Sequence, residues 1–308
     1  VKKRLLSDVP IANLLSGGID STSIIKSQFD NKVNQINTFT IKNTEKQYDE
    51  SEWANQVANS YRTNHEVIEI NGNNLLEDPF EIIKCFDEPY ADPSIFPSHM
   101  IYKNISKKFK VALSGDGGDE LFGGYRRHSV LKLRAALPSS LRLLGGLLGG
   151  RLGEALRSPT DHEAWAALVR MHPGLDVMDD PIGGVGGLSG ALRRDTRLAL
   201  PGDLLVKMDR AAMDSALEVR PPFLTEAVHA AAWSLPDGQR TPPIKGAGKP
   251  MLRRLLKSRL SGINFDRRKQ GFAAPLGDWL RGPLRAWVQD LPLEPIAHLG
   301  DPNEHLES

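Results

Sequence analysis

Two short stretches hold the residues best suited to chemistry. "ALSGDGGDELFGGYRRH" (112–128) carries three carboxylates, Asp116, Asp119 and Glu120, within five residues. Such a cluster in a cleft is costly unless a cation, an amine or a guanidinium neutralises it. "LLSGGIDST" (14–22) places Ser16, Gly17, Gly18 and Ser21 directly after an apolar run. Small residues at a strand-to-helix turn let backbone N–H groups point at an anion, and the helix dipole adds to the attraction. The lysine of the common phosphate loop is missing, and Asp20 stands close by instead. A carboxylate beside phosphate repels it unless a divalent cation lies between, and Mg2+ favours one or two carboxylates together with phosphate oxygens and water. Asp20 therefore implies a metal-bound polyphosphate, cleaved at its α-phosphate with pyrophosphate leaving. Asp119 is the natural second ligand. The bland alternatives are an ordinary tight turn for the second stretch and a solvated acidic turn for the first.

The flanking elements must bring these stretches together. "PIANLL" (10–15), "QINTFTIK" (35–42), "HEVIEI" (65–70) and "FKVALSG" (109–115) read as strands. Helices are expected from about 19 to 29, across "DESEWANQVANSY" with Asp49 and Glu52 as a capping box, near 75–86 and near 97–107. Strands joined by helices predict an α/β fold with a doubly wound parallel sheet, which binds ligands at the carboxyl ends of its strands. Both glycine-rich stretches fall at such ends. Near Tyr125 the composition changes towards Arg, Leu, Ala and Gly, and no strand pattern follows. Helical stripes at Leu204–Ser215, Leu252–Leu260 and Leu280–Leu291 predict an all-helical second half, with "IGGVGGLSG" (182–190) as a loop. The expected division is a polyphosphate-binding α/β part at 1–125 and a helical part at 126–308. The break reads either as that boundary or as a junction of two related genes.

The whole chain sets bounds. It has 308 residues, enough for a sizeable core, and 39 basic residues against 38 acidic ones. That balance gives no reason to expect nucleic acid or a membrane surface as partner. A single cysteine, Cys85, excludes a disulfide framework and points to a reducing, cytoplasmic setting. "KKR" near the start is not followed by an apolar region, so no signal peptide is expected. The chain begins with Val1 and is expected to be a fragment or a processed form.

"LLSGGIDST" resembles the PP-loop of the ATP pyrophosphatase superfamily, with its HUP-like fold. Together with "LSGDGGDELFGGY" it resembles the synthetase domain of the glutamine-hydrolysing asparagine synthetases. "FDEPYADPS" (86–94), "LLVKMDRAAMDSALEVRPPFL" (204–224), "GKPMLRRL" (248–255) and "RRKQGFAAPLGDWL" (267–280) match further motifs in family order. The resemblance implies ATP and Mg2+ as cofactors, and aspartate and ammonia as substrates. An aspartate carboxylate attacks the α-phosphate, pyrophosphate leaves, and ammonia converts the acyl-adenylate to asparagine and AMP. On the matched positions, Leu14 and Ile41 contact adenine or ribose. Ser16, Gly17, Gly18 and Ser21 cradle the pyrophosphate, and Ser114 and Gly115 line the nucleotide. Asp20 and Asp119 hold Mg2+. Asp116 takes the acidic position tied to the β-aspartyl-AMP step, where many members carry Glu. Lys269 neutralises charge on the α-phosphate, and Lys249 is a second phosphate contact. Asp87, Glu88 and Asp92 shape the cleft. Asp209, Arg210, Glu218 and Arg220 form ion pairs beneath it.

The likeness has departures. Thr225 stands where the family has Asp, and the segment 145–190 matches no motif. No N-terminal Cys nucleophile occurs in the sequence, so it is expected to lack the glutaminase domain and to depend on free ammonia, on a missing N-terminal part or on another subunit. A homodimer is compatible with the family. Two other readings stand beside asparagine synthesis. One is a related amide synthetase (a β-lactam synthetase, a lasso-peptide cyclase or a sugar amidation enzyme). The other is a non-catalytic nucleotide-binding remnant, against which the retained Asp20, Asp116, Asp119 and Lys269 argue.

Overall fold

Five parallel strands form one sheet in the order β3-β2-β1-β4-β5. They are β1 (Ile11–Leu14), β2 (Asn37–Asn43), β3 (Asn64–Ile70), β4 (Val111–Leu113) and β5 (Glu218–Arg220). The computed structural model describes residues 1–70, 79–88, 90, 92–169, 185–240, 248–257, 260, 262–263, 265 and 275–290. From β1 the chain winds outward to β2 and β3. It then returns to place β4 on the other side of β1, with Ala12 opposite Ala112. The strand order therefore reverses between β1 and β4, and a reversal of this kind opens a crevice at the carboxyl ends of the two strands.

Side-chain alternation explains why helices cover both faces. Ala12 and Leu14 face the helices Ile95–Ile105 and Leu205–Met213, packing with Phe39, Ile101, Ile105, Met208 and Ala211. Ile11, Asn13 and Leu15 face the opposite way. Leu15 packs with Ile25, Ala54, Val57 and Leu256, and Ile11 joins a cluster with Ile24, Leu113 and Phe122. Asn13 is buried among these groups because its amide oxygen accepts a 2.5 Å bond from Gln28 and its NH2 donates to the Asn37 carbonyl at 2.9 Å. A buried amide without such partners would cost a few kcal/mol. The α/β doubly wound class thus follows from the alternation read in the sequence.

Three local expectations change. The second part is not purely helical, since Glu218–Arg220 pairs in parallel with Val111–Leu113. Three residues are too few to show a period of two. Asp49 does accept from the Ser51 N–H at 3.0 Å, but the N-cap of the helix Ser51–Tyr61 is Glu50, with no side-chain cap bond, so the reciprocal box with Glu52 does not form. The end of the glycine run 182–190 is helical, within Gly187–Arg194. At Gly190 a Cβ would collide with the Val185 carbonyl, so close packing, not a turn, explains that glycine. Gly187–Arg194 continues through a wider π-wound segment, Asp195–Leu204, into Leu205–Met213.

Candidate active site

The loop after β1 is held by its own hydroxyls. The Ser16 N–H donates to Ser21 Oγ at 3.3 Å, the Gly18 N–H donates to Ser16 Oγ at 3.2 Å, and the two hydroxyls lie 3.2 Å apart. Gly17 has φ +67, and a Cβ there would lie 2.5 Å from the Trp53 carbonyl carbon. Only glycine fits that backbone. The helix Ile19–Asp30 starts immediately after, which sets Asp20 in its first turn.

The loop after β4 is built to meet it. Ser114 is buried, with its N–H donating to the Arg220 carbonyl at 3.2 Å and its hydroxyl facing Met208 Sδ at 3.6 Å. Gly117, at φ +88, turns the chain into the short helix Gly118–Phe122. A Cβ at Gly118 would fall 2.5 Å from Asp20 Oδ1, and one at Gly115 would lie 3.1 Å from the Asp20 Cβ. The glycines of the second motif are thus what lets the first motif's aspartate approach.

Between the two aspartates sits Lys249, 4% exposed. Its Nζ bonds Asp20 Oδ2 directly and lies 2.8 Å from Asp119 Oδ1. Burial alone would pull the lysine pKa down, but the charges of Asp119 and Asp20 outweigh it and hold the ammonium above its ordinary value. Lys249 comes from the turn ahead of the helix Pro250–Lys257, which packs against Ile19–Asp30. A Cβ at Gly124 would collide with Asp119 Oδ1 and Lys249 Cε.

Of the expected site residues, Ser16, Gly17, Gly18, Asp20, Ser21, Ser114, Gly115, Asp119 and Lys249 meet at this crevice. Leu14 and Ile41 lie at the carboxyl ends of β1 and β2, partly buried against the core. Asp116 occupies the turn between β4 and Gly118–Phe122. After burial, its charge is what pushes the Tyr102 hydroxyl pKa above the usual range. Tyr102, buried on the helix Ile95–Ile105, was not singled out by sequence reasoning, because its aromatic ring fits an apolar stripe equally well. Lys269 lies outside the described residues.

Behind Asp119 runs a second polar chain. Glu120, 2% exposed, accepts a 2.5 Å bond from the Tyr125 hydroxyl. The Arg127 guanidinium stacks 3.8 Å over the Tyr125 ring. Arg127 Nε also donates to both Asp195 oxygens, at 3.1 and 3.0 Å. Asp195, fully buried, further accepts from Trp165 Nε1 at 2.7 Å and from His128 Nε2 at 2.5 Å. The Tyr125 N–H donates to His128 Nδ1 at 3.3 Å, which leaves the ring hydrogen on Nε2. His128 thus has an ordinary hydrogen-bonding part.

Burial, then the charge of Asp119, raises the Glu120 carboxyl from an ordinary 4.5 to about 7. Below pH 4.5 the group is protonated in both folded and unfolded chains and costs nothing. As pH rises towards 7 the folded state retains a proton that the unfolded state has lost, so stability falls. Above 7 the full cost remains, on the order of 3 kcal/mol. Glu120→Gln keeps an acceptor for Tyr125 and is expected to flatten stability between pH 4.5 and 7 and to raise it at pH 8. Urea unfolding across that range would read the effect; equal pH slopes in both proteins would sink it.

The outer acidic residues are paired. Asp92 accepts from Lys207 Nζ at 2.8 Å and from the Ser94 hydroxyl at 2.7 Å, and Asp87 pairs with Arg210 at 2.5 Å. Glu218 and Arg220 pair at 2.7 Å on β5, where Glu218 is exposed, not buried beneath the site. Among the described residues, no group of three or more His, Cys, Asp or Glu side chains converges to hold a metal by itself.

Comparison with known proteins gives the chain's family. The family model described as "Asparagine synthase" matches residues 1–298. The chain is 27% identical to "Asparagine synthetase [glutamine-hydrolyzing] 1" of Bacillus subtilis, over 94% of this chain and 50% of that protein. It is 32% identical to "Putative asparagine synthetase [glutamine-hydrolyzing]" of Mycobacterium bovis, over 94% of this chain and 48% of the relative. A third relative, "Putative asparagine synthetase [glutamine-hydrolyzing] 2" of Methanocaldococcus jannaschii, is 34% identical over 48% of this chain and 29% of its own length. The chain spans about half the length of the first two relatives. With the family model matched over nearly its full length, the chain belongs to the asparagine synthase family.

Proposed function

We propose that this chain is the synthetase part of an ATP-dependent, amide-forming ligase that makes asparagine from aspartate. The observation that carries the reading is the meeting of Asp20 and Asp119 at the switch point between β1 and β4. Two hard carboxylates from separate loops are the donor set magnesium takes when phosphate oxygens and water complete its octahedron. Asp20 and Asp119 would hold it, and when bound it supplies charge neutralisation to the polyphosphate. The loop Ser16–Ser21 binds the departing pyrophosphate through backbone N–H groups and hydroxyls. Leu14, Ile41, Ser114 and Gly115 position the adenosine.

The aspartate side-chain oxygen attacks the α-phosphorus, and the bond to the β-phosphate oxygen breaks as pyrophosphate leaves. Ammonia then adds to the activated carbonyl, loses a proton, and expels AMP. Asp116, one methylene shorter than glutamate, takes that proton in this reading. Lys249 and Lys269 offset negative charge on the phosphates. The division at 125/126 fits this reading, since the second part contributes Lys249. Ammonia comes free or from a glutaminase part or subunit, in line with the "glutamine-hydrolyzing" names of the relatives. Among the described residues no helix is long and apolar enough to cross a membrane, and a cytoplasmic setting and a homodimer are part of the proposal.

The test is pyrophosphate release by the chain with Mg-ATP and ammonium, screened over aspartate and a panel of other carboxylates. Release with aspartate, together with asparagine and AMP in equal amounts, is the expected result. Release with another carboxylate alone would replace the substrate. No release with any of them would remove the ligase reading for this chain.

A further inference from the structure

Lys249 occupies the point where the two aspartates meet. Its backbone has φ +63, in the left-handed region that long side chains rarely adopt. That conformation is enforced from several sides. The Arg253 N–H donates to the Lys249 carbonyl at 3.0 Å. Gly248 lies so close to Gly123 and Gly124 that a Cβ would meet their backbone at 3.0 Å. A side chain at Gly124 would displace the lysine stem. The ammonium is therefore delivered to one position, bonded to Asp20 and 2.8 Å from Asp119. A divalent cation bridging the same carboxylates needs the same position, and two cations cannot share it.

We propose that Lys249 is a built-in counter-cation that keeps divalent ions out of the Asp20–Asp119 pair until a polyphosphate arrives with them. The inference rests on the metal–nucleotide reading above and adds an order to it. An ion arriving alone must push a buried ammonium off both carboxylates and leave it with no new anion, which is costly. An ion arriving with polyphosphate supplies the displaced ammonium with phosphate oxygens, a strong charge-assisted partner. Cation and polyphosphate thus bind as one unit, and each raises the affinity for the other by the same factor. Until then the lysine prevents repulsion between the carboxylates from opening the crevice.

The test is Mn2+ binding to the nucleotide-free chain, read from the electron paramagnetic resonance signal of free Mn2+. Wild type is expected to bind weakly, and Lys249→Met about tenfold or more tightly, a coupling of ordinary size for two competing ligands. Lys249→Arg keeps the charge and is expected to bind as weakly as wild type. A merely structural lysine would not give that split between Met and Arg. Adding Asp20→Asn to Lys249→Met is expected to abolish the gain. Should wild type bind Mn2+ as tightly as Lys249→Met, with Asp20→Asn weakening both, the counter-cation is wrong while the metal site stands. Binding indifferent to Asp20 in every variant would remove the metal site itself. If Lys249→Met does not fold, thermal melting of wild type decides. Mn2+ alone is expected to leave Tm unmoved, and Mn2+ with α,β-methylene ATP to raise it. A rise with Mn2+ alone that Asp20→Asn abolishes overturns the proposal.

Discussion

Asp20→Asn is expected to lower pyrophosphate release by about 10²–10³-fold, the usual cost of losing one preorganised electrostatic group. The substitution keeps the shape of the side chain. It therefore keeps the close approach to Gly115 and Gly118, where a Cβ on either glycine would crowd the side chain at position 20. What it removes is one of the two charges facing Lys249 and, in the proposed reaction, one of the two metal ligands. Lys249 retains Asp119, so the fold is expected to survive, and an unchanged Tm would check that. Asp119→Asn should behave alike, and the double variant should cost far less than the product of the two, because the pair acts as a unit. Both sets are measured with Mg-ATP, aspartate and ammonium at saturating concentrations. Rates within about threefold of wild type for both single variants would mean that the meeting of the carboxylates is architecture and not chemistry.

The aspartate pair was legible in the sequence for a definite reason. Each residue sits just past a strand of apolar, β-branched character, and the glycines around it mark tight backbone approach. A parallel sheet gathers such loops at one edge. Lys249 was legible as a family lysine but not as the partner of Asp20, because 229 positions separate them and no local pattern encodes a contact of that range. The charge argument called for a cation at the carboxylates, and two different cations satisfy it. β5 escaped for another reason: Glu218–Arg220 earns its place by pairing with β4, a property of the sheet and not of three residues. Asp195 also passed unnoticed. It lies in a polar, arginine-rich stretch where a carboxylate reads as a solvated charge, yet it is fully buried.

That buried carboxylate carries the largest expected effect on stability. Asp195→Asn should destabilise the chain by about 3–5 kcal/mol, the cost of breaking a buried ion pair from one side. The asparagine oxygen can still accept from Trp165. Its NH2 group, however, faces donors, because His128 Nε2–H and Arg127 Nε–H both point at the other oxygen. The pH dependence separates this cause from simple loss of packing. Burial works to raise the Asp195 pKa, but the hydrogen bonds from His128 and Arg127 and the charge of Arg127 outweigh it and hold the carboxyl below its ordinary 3.8. A depressed carboxylate contributes stability that is present above pH 4 and lost as pH falls through the folded value. The gap between wild type and variant should therefore be full at pH 7 and shrink below pH 4. Urea unfolding at both ends reads it, and a gap that stays constant would mean that only shape was lost. The same variant frees Arg127, which stacks on Tyr125, whose hydroxyl holds Glu120 beside Asp119. Asp195→Asn should therefore also raise the KM for ATP while Lys249 is untouched, because the helix bearing Asp119 is braced from behind by this chain and not by the sheet alone.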